Sequence, residues 1–461
     1  MTNRFFFILI VGLIILKIIA ANFTNFDLFG DEAQYWLWSR SLEFGYFSKP
    51  PLLAWSIRVF TEIFGNGFAS LKGFPILIYC ITTYFFYTLC KRLGLDKFDS
   101  FSCSIIFFIV PAVSFSSFVI STDVMLLFFW VLMMIMLLNI RSNPKNINFV
   151  ILGLWFGLAL LSKYAAIYFL ICLAVLFFLD KKTRDSFYNN FFGVFLFILI
   201  LAIIILPNLL WNYQNDWVTF SHTSSNANLE NYKINIFRGL VFLLTQILIM
   251  GPVLFFGFIL NIKKIKIDFQ NVFLLSFSIP IMVIVFVESV LVRANANWAA
   301  PALLSLIIVF YRSLKKHKSL IININFMFNF LISCFFFYAV AASFPLKIFD
   351  RISGINKFAL DVLSISKDKN IVISDRMLFS SISYILKDDP VKIYMPYRLG
   401  ETITNHFQIS SRLKKDFNKN FILIGSPQNI DYMLGDYKIN LIQTLDKKFT
   451  SEQVKIYEVL F

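Results

Sequence analysis

Apolar stretches long enough to cross a bilayer recur from the start of this chain to about residue 345, and no other feature limits its possible folds so severely. A lipid core takes a helix of about 20 apolar residues, because unpaired backbone groups are too costly there for anything but helices or closed barrels. Such runs begin near Phe5, Phe68, Phe101, Thr122, Asn148, Tyr164, Phe191, Leu240, Val272, Trp298 and Ile321. They predict a membrane all-α bundle of about 11 transmembrane helices. The first run, residues 5–20, lacks a small-residue cleavage site and is read as an uncleaved helix and not a signal peptide.

The 461 residues are 58% hydrophobic and 15% charged, with a formal net charge of +15. That surplus would suit nucleic acid if it lay on one face, but it does not. Lys91, Arg92 and Lys97, then Arg141 and Lys145, Lys181, Lys182 and Arg184, Lys263, Lys264 and Lys266, and Arg312, Lys315, Lys316 and Lys318 occupy every second loop. Bases so placed mark cytoplasmic loops. The amino terminus is then inside, and no nucleic-acid partner is expected. The first loop, the turns at Ser121, Lys163 and Arg293, residues 212–238, and everything after residue 345 lie outside, so the chemically interesting polar stretches share one compartment. Cys80, Cys90, Cys103, Cys172 and Cys334 are scattered without ligand spacing, which argues against cysteine-bound metal.

After residue 345 the pattern changes. Strand-like runs at 371–374, 391–395, 421–424, 439–442 and 454–459 alternate with polar segments. The expected organisation is a transmembrane domain over 1–345, with surface helices at 30–65 in its first loop, and a small extracytoplasmic α/β domain over 346–461. The α/β domain shows no catalytic motif, and its expected role is support or acceptor contact.

The first loop carries Gly30-Asp31-Glu32-Ala33-Gln34-Tyr35-Trp36-Leu37-Trp38-Ser39-Arg40 and then Gly45-Tyr46-Phe47-Ser48-Lys49-Pro50-Pro51-Leu52. Charges at the edge of a bilayer are expensive and usually functional, while Tyr and Trp prefer the headgroup layer. The two prolines break the segment and let a second helix start at Pro51. A surface hairpin gathering Asp31, Glu32 and Lys49 is expected, with Tyr46 as a further substrate contact.

Further polar groups fall in the same outer layer. Asp123 opens a span after Ser121 and Thr122; a helix cap is the plain reading, worth about 1 kcal/mol, yet either hydroxyl could cap. Lys163 could merely snorkel, but it runs against the outer charge bias and suits an anion. Trp211, Asn212 and His222 lie in a stretch mixing aromatics with amides, which fits a sugar's C–H faces and hydroxyl rim and equally a membrane-interface aromatic belt. Arg293 and Asn297 add a base and an amide, and Glu288 is expected to pair with Arg293 or another base.

One chemistry uses all these parts. A polyprenyl-phosphate sugar needs a lipid groove for its tail and cations for its phosphate. Lys49, Lys163 and Arg293 would hold the phosphate as it leaves. Asp31 would take the acceptor's proton, with Glu32 or Asp123 orienting base or acceptor, and direct displacement would invert the anomeric centre.

At these positions the sequence resembles the GT-C polyprenyl-phosphate glycosyltransferases. The resemblance rests on the Asp31-Glu32 pair, the run from Tyr46 to Leu52, Thr122-Asp123, Gly157-Leu158-Ala159-Leu160-Leu161-Ser162-Lys163-Tyr164, Trp211-Asn212-Tyr213-Gln214-Asn215-Asp216-Trp217, and Asn297-Trp298-Ala299-Ala300-Pro301-Ala302. It is most similar to the bacterial branch of aminoarabinose and galacturonic acid transferases that modify lipid A, related to protein O-mannosyltransferases. The resemblance implies an inner-membrane enzyme with a periplasmic active site, a polyprenyl-phosphate sugar donor and a lipid A or other envelope glycan acceptor. It also implies Asp31 as base and Lys49 on the donor phosphate. Where relatives can carry a metal-associated Glu before that Lys, this chain has Ser48, so no metal or other cofactor is expected. The alternatives are a protein O-glycosyltransferase, a lipid-linked sugar transporter, which would call for internal repeats that the chain does not show, and an assembly factor.

Overall fold

The structure, a computed structural model, describes residues 3–227, 232–264, 266–314, 317–367, 369–450 and 453–461. Lys315 and Lys316, assigned above to an inner loop, lie outside the described residues.

Each apolar run is helical. Helix α1 (Asn3–Phe23) is followed by two surface helices, α2 (Gly30–Arg40) and α3 (Leu52–Phe64), then α4 (Phe68–Arg92), α5 (Lys97–Ile109), α6 (Pro111–Ser116), α7 (Thr122–Ser142) and α8 (Asn146–Ser162). A 3-10 turn at Tyr164–Ile167 leads into α9 (Tyr168–Leu179), α10 (Lys181–Tyr188), α11 (Phe191–Gln214), α12 (Val218–Ala227), α13 (Ile236–Met250) and α14 (Pro252–Asn261). The bundle closes with α15 (Phe269–Ser276), α16 (Ile279–Leu291), α17 (Ala300–Ser313) and α18 (Lys318–Ala341).

Among the described residues, 6 helices are long and apolar enough to cross a membrane, or 8 if the bent pairs α9–α10 (110°) and α13–α14 (100°) each count once. The three other expected spans are shorter helices: α5 with 13 residues, α8 with 17 and α17 with 14. The physical reason is that apolar character reports burial of any kind. Helix α17 is sheathed by protein over nearly its whole length, as is α7, whose apolar window is 83% buried, whereas that of α11 is 11% buried and faces outward.

The base-rich ends are fastened by ion pairs: Arg141 to Asp180 at 2.8 Å, Arg312 to Asp268 at 2.7 Å and Lys318 to Asp99 at 2.6 Å. They stand at the opposite end of the bundle from Asp123, since α7 begins with Asp123 and finishes beside Arg141.

The tail carries α19 (Ile355–Ser366), α20 (Arg376–Ile385), a short α21 (Phe407–Ser410) and five strands: β1 (Asn370–Ile373), β2 (Ile393–Tyr394), β3 (Phe421–Ile424), β4 (Lys438–Leu445) and β5 (Val454–Leu460). All five strands match the expected runs. The order is β2-β1-β3-β5-β4, with β1 parallel to β2 and β3 and with β5 antiparallel to β3 and β4. Side chains alternate between faces along a strand. Val372, Phe421, Leu423 and Val459 build a small core on one face, while Ile371, Ile373, Ile422 and Ile424 join the main core that runs through the bundle. That sheet face packs on α19 and α20, and the α/β unit is docked on the rest of the protein through α20, which lies along α2.

Two seams hold it there. Asp27 accepts backbone N–H bonds from Ile355 (2.8 Å) and Asn356 (3.2 Å), and its own N–H donates to Ile352 O at 2.7 Å. Helix α20 lies along α2 so closely that a Cβ on Gly30 would meet Met377 Sδ at 2.8 Å.

Candidate active site

Asp31 and Glu32 are neighbours in the first turn of α2, and consecutive helical side chains diverge by about 100°. They consequently serve different faces. Asp31 points outward, with its side chain 55% exposed, 3.6 Å from the Arg376 guanidinium. Glu32 points into the protein and is completely buried. Its oxygens accept from Lys72 Nζ at 2.6 and 2.7 Å, from Ile120 N at 2.8 Å and from Phe29 N at 3.0 Å. Lys72 in turn sits under the rings of Phe68 and Phe118, each 5.2 Å away. This corrects the expectation of a catalytic Glu32: the carboxylate is a cross-tie between α2, α4 and the chain before α7, with no capacity left for substrate.

Lys49 is one partner of a short antiparallel bridge to Tyr46, and Pro51 precedes α3 as expected. Among the described residues its ammonium makes no hydrogen bond or ion pair, although Lys163, Asp123, Asp31 and Arg376 all act on it electrostatically. Burial lowers its pKa first and the Lys163 charge lowers it further, against the two carboxylates. Lys49 is a half-buried cation in need of a counter-anion.

Asp123 is held by both oxygens, one on Lys163 Nζ at 2.7 Å and the other on Asn297 Nδ2 at 2.7 Å. The cap at the start of α7 is made by no side chain, so the plain reading of Asp123 fails. Its side chain is 7% exposed and that of Lys163 is 17% exposed. Asp123 thus fixes Lys163 beside Lys49, which is a positioning task.

The aromatic and amide residues divide. Tyr46 is wholly buried, stacked on Trp38 at 4.6 Å with its hydroxyl on Trp38 O at 2.8 Å. Trp211 donates to Glu43 at 2.8 Å and covers Gly45, where a Cβ would stand 2.3 Å from the indole. Asn212 is buried and bonded to Asn208 O at 2.9 Å and to Tyr164 at 3.3 Å. These three, expected to bind substrate, are buried and bonded within the scaffold. His222 does reach the site: it lies 4.9 Å from the Phe47 ring, and burial together with Lys49 and Arg376 lowers its pKa to about 4. Arg293 is exposed, and among the described residues neither it nor Glu288 forms an ion pair. The expected Glu288–Arg293 pair is absent, and Arg238 bonds to Val292 O instead.

Two residues escaped the sequence reading. Lys72 is a base in an outer layer, the same signal that singled out Lys163, and was overlooked. Arg376, which also donates to Gln34 at 3.0 Å, comes from the tail and had no local signal. A divalent cation does not suit this donor set: Ser48 and Asp31 lie among Lys49 and Arg376, and Glu32 is consumed by Lys72. Among the described residues no three His, Cys, Asp or Glu side chains come together.

Residues 48–211 match the family model described as dolichyl-phosphate-mannose-protein mannosyltransferase. The chain is 28% identical over 411 residues to the lipid A galacturonosyltransferase RgtD of Rhizobium johnstonii, covering 86% of this chain and 85% of that one. Its fold matches the crystal structure of ArnT from Cupriavidus metallidurans in the apo state with a TM-score of 0.68 at 12% identity, over 98% of this chain and 97% of that one. The form bound to undecaprenyl phosphate matches with a TM-score of 0.67 at 13% identity, over 99% and 98%. The matched segment 48–211 takes in Lys49, Asp123 and Lys163 and begins after Asp31.

Proposed function

We propose that this GT-C glycosyltransferase, a multi-pass membrane protein, moves one sugar from a polyprenyl-phosphate donor to lipid A or a related envelope glycan on the periplasmic side of the inner membrane. The observation that carries the reading is Lys49: a cation without a hydrogen-bonded acid, beside Lys163, Arg376 and one exposed carboxylate. The galacturonosyltransferase relative and the undecaprenyl phosphate bound to the ArnT of the same fold support the choice of acceptor and donor.

In this mechanism the donor phosphate sits against Lys49 and Lys163, with Asn297 and Asp123 keeping Lys163 in place. Its negative charge answers the unfavourable burial of the Lys49 ammonium, and binding therefore holds a proton on that amine. The acceptor hydroxyl attacks the anomeric carbon, and Asp31 takes its proton as the new C–O bond forms. The bond to the phosphate oxygen breaks with its electron pair, and the two lysines stabilise the departing charge. Attack opposite the leaving group inverts the anomeric configuration. Arg376, 3.6 Å from Asp31, helps to aim the carboxylate.

The test is transfer by purified protein from a polyprenyl-phosphate sugar to lipid A. Asp31→Asn should abolish transfer while leaving membrane insertion and melting unchanged, and Lys49→Ala should raise the donor KM about tenfold or more. Near-normal transfer by Asp31→Asn removes the proposed base. The family model's description favours a second acceptor, protein Ser or Thr; mass spectrometry of lipid A and of glycopeptides with and without the gene separates the two.

A further inference from the structure

We infer that the cavity between the carboxyl end of α2 and the tail domain is a binding site for the sugar rings of the acceptor, a step that rests on the function proposed above. The cavity has a volume of about 650 Å³, within the range of pockets that take small ligands. Two buried polar atoms beside it have no partner among the described residues, Trp38 Nε1 and His406 Nδ1, while His406 Nε2 faces the Glu43 carboxylate. The His406 side chain is 1% exposed, and its nearest carboxylate, Glu43 Oε1, stands 3.5 Å from Nε2. Buried polar groups are almost always satisfied, so this cluster marks a place where an outside group supplies the missing bonds.

The remaining wall fits a carbohydrate. Trp36, Phe379 and Phe407 contribute apolar surface, and Arg40, Lys387, Glu43 and Asp389 contribute donors and acceptors of both signs. Mixed charge beside aromatic surface suits neutral hydroxyls and C–H faces. It does not suit a lipid tail, nor a lone phosphate.

The placement follows from the helices. Arg376, Phe379, Ser383 and Lys387 recur at three- and four-residue steps along and just past α20, which puts them on one face. Helices α2 and α20 run in the same direction: Gly30 packs on Met377 and Trp36 meets Tyr384 at a ring separation of 5.1 Å. The stripe therefore leads from Asp31 at one end to the cavity at the other. At 1.5 Å per residue, Asp31 and Arg40 are separated by about 14 Å, comparable with two linked pyranoses and a phosphate. A sugar held in the cavity leaves the far end of its acceptor at the base.

The experiment uses full-length enzyme in nanodiscs and the acyl-free glucosamine disaccharide as probe. Ser383→Trp, which fills the cavity, should raise the acceptor KM about tenfold and leave the donor KM unchanged. A thiol installed by Lys387→Cys should be labelled by a hydrophilic maleimide and protected by the disaccharide. An acceptor KM within about twofold of wild type, or unprotected labelling as expected of a cavity filled by water only, overturns the inference. If Ser383→Trp does not fold, protection alone decides. If wild-type enzyme transfers nothing to lipid A, the function proposed above fails, and the cavity is still judged by protection.

Discussion

Glu32→Ala removes a carboxylate that the sequence points to as catalytic and the structure makes architectural, so its consequences separate the two roles. The substitution strands the Lys72 ammonium, whose side chain is 3% exposed, beneath Phe29, Phe68 and Phe118. Breaking a buried ion pair from one side costs about 3–5 kcal/mol. It also takes the acceptor from Ile120 N and Phe29 N, and a buried donor left unpaired costs about 1–3 kcal/mol. A loss of at least about 3 kcal/mol is expected, seen as earlier aggregation when the detergent-solubilised protein is heated and assayed by size exclusion. Replacing both partners, Glu32→Gln with Lys72→Met, leaves no stranded charge and should recover most of that loss. The decisive comparison is between melting and turnover. A Glu32→Ala protein that melts like wild type but transfers no sugar would refute the architectural assignment and restore Glu32 to the reaction.

Three other outcomes are expected. Below about pH 6.5 an unfolded His222 takes a proton that the folded one, lowered to about 4 by burial and by Lys49 and Arg376, refuses; its contribution is present above that pH and fades as pH falls toward 4, by at most about 3 kcal/mol. NMR titration of the 3 histidines should show this, and Lys49→Met should raise the value. Asp123→Ala frees Lys163 and Asn297 together, costing about 2 kcal/mol of stability and raising the donor KM in steady-state assays; unchanged donor use would remove Asp123 from a positioning role. A cysteine replacing Ser225 should be labelled from outside intact spheroplasts and one replacing Ser142 should not, and the reverse pattern would invert the topology.

The helices and all five strands were legible because each is a local property: apolar runs of helical length, and short β-branched runs between polar turns. Helix length was less so, since α17 is apolar for the sake of protein packing. At the site, the sequence identified Asp31, Lys49, Asp123, Lys163, His222 and Asn297 as polar residues of one layer, and the fold brings these together. It made Asp31 the base but placed Glu32 beside it as an orienting group, because only the position of Lys72 decides which carboxylate turns inward. Tyr46, Trp211 and Asn212 were singled out by residue type, which does not separate a side chain that shapes a hairpin from one that touches a sugar. Arg376 depends on a contact 342 residues from Gln34, and no local pattern encodes that.

That contact has a consequence for how the protein is made. Helix α2 leaves the ribosome early, yet its outer flank stays uncovered until α20 has been synthesised and folded down over it. Until residue 376 is made Asp31 has no Arg376 beside it, so in the mechanism proposed above a chain stalled or cleaved ahead of α20 would be inserted in lipid with its base unaimed. The seam between the first loop and the tail therefore closes late, once α20 has been made.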